Sequence, residues 1–419
     1  MPTANEVESH LGSAATIDLF KRYVIANYNR YPVNLVRGEG SFVWDAEGNR
    51  YVDFFPGWGC NLLGHCPGPV VRAVQEQVAT LIHVPNTWHM DVQGRWAQML
   101  SKRSFGGQAF FCNSGTEAWE GALKIARAHA SAGKNNGSRT KWRILVLENS
   151  FHGRTFGSLA TTGQPKYRAP FEPLVPGIRF VKFNDVGDLE RQFDASVCAV
   201  GIETIQGEGG VRPVSKEFLK SARRLTRRHG ALLLLDEIQC GLGRTGRHFA
   251  YQHYGITPDV VTVAKPIAAG LPLGAILTTT KAASCIHPGM HGTTFGGGPL
   301  ACAVALEVQR VTNGLLTHIE RLGRYFRSHL ETLKFKHKGI VEVRGMGLMI
   351  GMELESADRA KAIVVHLLEH GVLINRTHNT VLRFLPPYII EKSHVNQVIR
   401  LLDSSLSEHA VSTSSRGRG

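Results

Sequence analysis

"ALLLLDEIQCGLGRTGRHFAYQHYGITPDVVTVAK", residues 231–265, decides the fold. Two apolar runs in it end on a charged residue, Leu232–Leu235 on Asp236 and Val260–Ala264 on Lys265. Runs this short and this uniformly apolar read as strands buried on both faces, the condition of a parallel sheet covered by helices. Working outward, "QAFFCN", "RILVLE", "IRFVKF", "VCAVGIE" and "GAILT" repeat the pattern between about Leu100 and Leu277, with helical stretches between them. The expectation is an α/β fold with a mostly parallel central sheet. Ligands bind such sheets at the C-terminal ends of the strands, where Asp236 and Lys265 stand.

Before this region, "SFVWDAEGNRYVDFF" places Glu47–Gly48–Asn49 between two alternating segments and predicts a hairpin. A helix is expected from Pro69 to Leu81, opened by proline and carrying Val70, Val74 and Val78 on one face. After Pro299 come long amphipathic helices, "GIVEVRGMGLMIGMEL", another helix and "VLRFLPPYII", the pattern of a smaller α+β lobe. The division expected is 1–64 as an N-terminal segment of the small domain, 65–300 as the large domain, 301–409 as the C-terminal small domain, and 410–419 as a disordered polar tail.

The 419 residues include 48 Lys and Arg against 34 Asp and Glu, a formal charge of +14 that would attract anions of any kind. The basic residues are scattered, apart from Arg223, Arg224, Arg227 and Arg228, which helical spacing puts on a solvated helix face. That distribution favours anionic metabolites over nucleic acid as partners. Seven cysteines without a CxxC pair suggest neither a disulfide scaffold nor a zinc site. No run approaches the roughly 18 apolar residues of a membrane span. The polar N-terminus has no signal-like apolar stretch, so the expected compartment is the cytoplasm.

A carboxylate such as Asp236 at the end of an apolar strand is costly without a partner. A protonated heterocycle nitrogen would serve, and so would the following loop or an arginine. A lysine at the mouth of a buried strand can act as an amine nucleophile, although most lysines are solvated surface groups. Together the two match the need for a Schiff-base lysine and an acidic partner to a pyridine nitrogen. "CNSGTEAWEGALKIAR" offers phosphate donors where a helix starts at Gly115 and Thr116, or ordinary capping. "HGTTFGGGP" offers more at Thr293 and Thr294. In "ENSFHGRTFG", Phe151 suits a ring face and Arg154 a carboxylate clamp; a core aromatic and an internally paired arginine are the plainer alternatives. "GLGRTG", Gly241 to Gly246, satisfies G-x-G-x-x-G but does not open a helix directly, which argues against a nucleotide loop.

Taken together, "SGTEA", "FHGRT", "TGQPKYR", "ETIQGEGGV", "PDVVTVAK", "HGTTFGGGPLA" and "LRFLPP" resemble the class III, ornithine-type aminotransferases of the aspartate aminotransferase fold, from about Asn27 to Pro387. The resemblance implies pyridoxal 5′-phosphate as cofactor, carried on Lys265 as a Schiff base. It implies that Asp236 bonds the pyridine nitrogen, Gln239 lies near the phenolic oxygen, and Phe151 stacks on the ring. Gly115 and Thr116 would bind the phosphate, and Thr294 would do so for the neighbouring subunit of an obligate homodimer. Arg154 would hold the substrate's α-carboxylate, with Thr293 close by. Arg383 would bind the α-carboxylate of 2-oxoglutarate or glutamate, and Glu208 would be the acid that pairs with it while the donor is bound. Glu203 would lie near the cofactor and Tyr28 would face the substrate. The activity implied is transfer of the terminal amino group of N-acetylornithine to 2-oxoglutarate, in arginine biosynthesis. Ornithine, succinylornithine, γ-aminobutyrate or a diamine remain alternative donors. Thr204, Pro266 and Gly298 depart from the family pattern, as does Trp58, whose indole stands where a smaller side chain or a tyrosine is usual.

Overall fold

The computed structural model describes residues 10–132 and 141–414. Its first strands, β1 (Leu35–Glu39), β2 (Phe42–Asp45) and β3 (Arg50–Asp53), include the expected hairpin, with β2 and β3 antiparallel. The apolar runs become β4 (Gln108–Cys112), β5 (Arg143–Leu147), β6 (Ile178–Val181), β7 (Val197–Glu203), β10 (Leu232–Asp236), β11 (Val260–Val263) and β12 (Gly274–Thr278). Between β7 and β10 the short β8 (Ile205–Gln206) and β9 (Arg212–Pro213) form a hairpin of their own. The central sheet has the order β4-β12-β11-β10-β7-β5-β6, and within it β12 alone opposes its neighbours. Every residue of β7, β10 and β11 is buried, as strands covered on both faces require.

Register places the chemistry. Asp236 lies beside Glu203 on β7 and Thr262 on β11, and Lys265 comes just past the end of β11. The helix Gly115–Ser131 starts at the same edge, with the Ser114 hydroxyl accepting from the Glu117 N–H. Its Trp119 packs against Gly201 of β7, where a Cβ would approach the indole to 2.9 Å, so only glycine leaves room for it. The helix Lys216–His229 buries Phe218, Leu219, Ala222 and Leu225 and ends at Gly230 in the left-handed conformation. Its arginine cluster is not uniformly solvated. Arg224, Arg227 and Arg228 are exposed, but Arg223 is buried and donates to Asp259 Oδ2 at 2.8 Å.

The helix expected at 69–81 spans Gly68–Thr80. Beyond the helices Pro299–Asn313 and Leu316–Lys336, β13 (Ile340–Met346), β14 (Met349–Leu354), β16 (Asn375–Thr377) and β17 (Val381–Phe384) form an antiparallel sheet in the order β13-β14-β17-β16. The two-residue β15 (Val372–Leu373) instead joins β3, which attaches the N-terminal hairpin to this lobe. The last helix, Lys392–Ser414, runs into the stretch expected to be an irregular tail, and 415–419 lie outside the described residues. Among the described residues no helix is long and apolar enough to cross a membrane.

The "GLGRTG" loop has a structural task. Arg244 is fully buried and donates to the carbonyls of Gly59, Leu348 and Pro386. It also lies 4.6 Å from the centre of the Tyr388 ring. One guanidinium thus fastens the N-terminal segment and the C-terminal lobe to the central sheet.

Candidate active site

Gly115, Thr116, Phe151, Arg154, Glu203, Glu208, Asp236, Gln239 and Lys265 line a single cavity of about 250 Å³ at the C-terminal edge of the sheet. Residues separated by up to 150 positions in sequence therefore converge, because β7, β10 and β11 are adjacent and each delivers its terminal side chain to one edge.

Asp236 is fixed from behind. Its Oδ1 accepts the Ile238 N–H at 3.0 Å, and its Oδ2 lies 2.7 Å from His152 Nδ1. His152 is fully buried and stacks on Trp119 at a centroid distance of 4.0 Å and an angle of 5°. Trp119 is held in turn by its Nε1–H to Thr161 Oγ1 at 2.8 Å. Gly201, Trp119, His152 and Asp236 form a continuous stack from the sheet to the cavity. His152 escaped the sequence reading because its partner is 84 residues away; the only local sign was a histidine between Phe151 and Gly153.

Two glutamates, the buried Glu203 and the half-buried Glu208, face the same cavity in opposite electrostatic states. Glu203 accepts the N–H of Phe151 at 2.8 Å and of Gly207 at 3.1 Å, tying together the loops that carry Phe151 and Glu208. Burial, followed by the repulsion of Asp236, raises its pKa to about 8. Glu208 is also desolvated, yet the neighbouring Arg383 guanidinium outweighs that burial and holds its carboxyl below the usual range. Arg383 Nη1 donates to Glu208 Oε1 at 2.7 Å. Its Nε and Nη2 both donate to Asn375 Oδ1, at 3.1 and 2.8 Å, and its guanidinium lies 4.9 Å from the Phe55 ring centre. Asn375 is a second residue that the sequence reading missed, since cross-strand pairing with Arg383 cannot be seen along the chain.

Arg154 is exposed at the mouth, its guanidinium 4.0 Å from the centre of Tyr167 and 5.4 Å from that of Phe151, with no ion pair among the described residues. Trp58 is joined to the site through its carbonyl, which accepts from Gln239 Nε2 at 3.5 Å. It sits in a left-handed turn, with φ of 56°, 57° and 91° at Gly57, Trp58 and Gly59. Its ring packs edge-on to Phe55 and 6.4 Å from Tyr28, which is exposed. Thr293 and Thr294 do not line this cavity. Thr293 Oγ1 accepts from Asn113 Nδ2 at 3.2 Å, and Thr294 is exposed. The segment that carries them is tied to Asn86, whose Nδ2 donates to the Gly296 carbonyl at 3.0 Å. Ile82, Trp88 and Phe295 are left exposed on these two segments.

The cavity suits pyridoxal 5′-phosphate in three respects. Asp236 presents a buried carboxylate in the cavity lining, the acid that a protonated ring nitrogen needs. The start of a 17-residue helix directs first-turn N–H groups and its positive end at Gly115 and Thr116. Lys265 Nζ is the free amine of the lining. Fold and site together are those of a pyridoxal-phosphate-dependent transaminase.

The model of the family described as aminotransferase class-III matches residues 23–406, and the chain belongs to that family. An acetylornithine aminotransferase of Caldanaerobacter subterraneus subsp. tengcongensis is 47% identical over 390 residues, covering 93% of this chain and 98% of the relative. A succinylornithine transaminase of Yersinia pseudotuberculosis is 41% identical over 403 residues, covering 94% and 97%. Among solved structures, the ornithine aminotransferase of Toxoplasma gondii ME49 superposes with a TM-score of 0.91 at 33% identity, covering 96% of this chain and 97% of that one.

Proposed function

We propose that the enzyme transfers the terminal amino group of N-acetylornithine to 2-oxoglutarate, giving N-acetylglutamate semialdehyde and glutamate. The observation that carries this reading is that Glu208, in the cavity lining, pairs with Arg383 behind it, while the arginine of the lining itself, Arg154, has no carboxylate partner among the described residues. A donor with one carboxylate meets one available cation. An acceptor with two carboxylates needs both, and obtains the second when Glu208 withdraws.

When bound, the cofactor supplies the carbonyl that takes the amino group and the ring that stores the electron pair. The chain's own residues do the rest. Asp236, oriented by His152 and the Ile238 N–H, keeps a proton on the ring nitrogen. Lys265 Nζ takes the proton from the donor carbon and returns it on the acceptor side. The helix start at Gly115 and Thr116 anchors the phosphate, and Phe151 forms the wall against the ring. Gln239 links Trp58 to Arg383, its side-chain oxygen 3.4 Å from Nη1, and would hold the phenolic oxygen when the cofactor is bound. Thr293 and Thr294, away from their own cavity beside exposed Ile82, Trp88 and Phe295, fit a homodimer in which Thr294 completes the neighbouring site.

Relatives named for acetylornithine and for succinylornithine both match this chain closely, which supports an N-acylated donor. Tyr28 beside Trp58 favours ornithine as the second reading, because an exposed phenol can contact a free α-amine. Single-turnover rates with N-acetylornithine, N-succinylornithine and ornithine at equal concentration test the choice. The proposal requires N-acetylornithine to be fastest by at least about tenfold, or about 1.4 kcal/mol. Fastest turnover with ornithine would overturn it and make Tyr28 the first residue to substitute.

A further inference from the structure

Arg383 has three side-chain acceptors. Glu208 is charged and touches only Nη1 at 2.7 Å. Gln239 is neutral and also accepts from Nη1, at a longer 3.4 Å. Asn375 is neutral and spans Nε and Nη2 with one oxygen, at 3.1 and 2.8 Å. Glu208 and Asn375 occupy different edges of the guanidinium. With Asn375 on the Nε–Nη2 edge, the Nη1–Nη2 edge is the one left to receive an incoming carboxylate once Glu208 leaves. The same strand also holds the withdrawing acid. Two residues along β16, on the same face, Thr377 Oγ1 donates to Glu208 Oε2 at 3.3 Å.

We infer that Asn375 is the fixed anchor of Arg383: it keeps the guanidinium in one orientation through both halves of the reaction, aimed at the α-carboxylate of the acceptor, while Glu208 alternates with that carboxylate. The inference rests on the reading of Arg383 as the acceptor's carboxylate site. Its chemical content is that the permanent anchor has to be uncharged. An amide oxygen orients the fork and leaves the positive charge for the substrate. A carboxylate in its place would neutralise Arg383 permanently, because β16 cannot withdraw as a loop residue can.

Asn375→Asp, nearly the same shape with a charge added, separates these roles, and Asn375→Ala removes the anchor. Glutarate binding to the cofactor-loaded enzyme is measured by calorimetry, and each half-reaction separately by the cofactor's absorbance. For Asn375→Asp the expected result is at least tenfold weaker glutarate binding and a similar loss in the half-reaction with 2-oxoglutarate. Amino transfer from N-acetylornithine should stay within about twofold. Asn375→Ala should show the same asymmetry to a smaller degree. Unchanged glutarate binding in Asn375→Asp, or equal loss in both halves for both variants, overturns the role of Asn375. The wild type separates the two levels. If it reacts no faster with 2-oxoglutarate than with 4-oxobutanoate, which lacks the α-carboxylate, the reading of Arg383 fails, and the anchor fails with it.

Discussion

The two arginines of the site, Arg154 in the cavity lining and Arg383 behind Glu208, differ in everything except charge. Arg154 lies at the mouth over the rings of Phe151 and Tyr167, exposed and without an ion pair among the described residues. Arg383 is 1% exposed, paired with Glu208, anchored by Asn375 and covered by Phe55. A cation in water keeps its charge at little cost. One in the interior needs compensation, because an unpaired buried charge costs several kcal/mol. The difference teaches how a single site can treat two substrates differently. On the proposed reading, the end that every substrate uses is open, while the end that only one substrate uses is closed by an internal carboxylate.

The comparison disappears if the group serving both ends is removed. Lys265→Ala should lower both half-reactions by about 10⁴-fold or more and abolish the visible band of lysine-bound cofactor. A mutant that keeps that band would show that another lysine carries the cofactor.

Lysine replacements keep each charge and remove the planar fork. Arg154→Lys should slow both half-reactions, by roughly 10- to 100-fold. Arg383→Lys should slow only the half with 2-oxoglutarate, by a similar factor. Equal effects of the two substitutions on the two halves would erase the distinction drawn here. Alanine is less suitable at Arg383, since it would strand Glu208 and cost about 3–5 kcal/mol of stability.

Glu208→Gln opens the closed end without removing the arginine. Glutamate should then gain as an amino donor relative to N-acetylornithine, by about tenfold, in competition between the two. No change in that ratio would mean that Glu208 does not compete with a substrate carboxylate.

The smallest expected effect concerns Glu203, the buried acid with no guanidinium beside it. Burial and then Asp236 raise its pKa to about 8, whereas the unfolded chain titrates near 4.3. Between those values the folded chain holds the proton and the unfolded chain does not. Cofactor-free protein should therefore lose stability as pH rises from about 5 to 8. Glu237, raised to about 7 by burial, adds a slope of the same sign. Thermal melts across this range should be flatter for Glu203→Gln, and an unaltered slope would rule out Glu203 as a source.

Much of this architecture could be read along the chain. Asp236 and Lys265 stood out because a charged residue ending an apolar strand conflicts with its surroundings, and such conflicts concentrate at functional sites. Strands β7 and β10 were legible for the same reason that they are buried: nothing charged comes before their last residue. Relations across space were hidden. His152 bonds Asp236 from another loop, and Asn375 meets Arg383 only because β16 and β17 pair in a particular register. Arg223 looked like its neighbours on the helix, yet it turns inward to Asp259, since helical spacing gives a face and not what lies opposite it. The "GLGRTG" loop was separable from a nucleotide loop because it does not open a helix, but Arg244's clamp on three distant carbonyls needed the folded chain. Thr204, in place of the usual proline, proves to be a buried donor to Glu237 Oε1 at 3.3 Å.

The exposed position of Thr294, outside the cavity of its own chain, has a genetic consequence. With Thr294 serving the neighbour, as proposed, a chain disabled at Lys265 still lends an intact threonine to its partner. A chain disabled only at Thr294 still owns an intact lysine. Two inactive alleles mixed in one cell should then complement each other, because each mixed dimer assembles one wholly wild-type site.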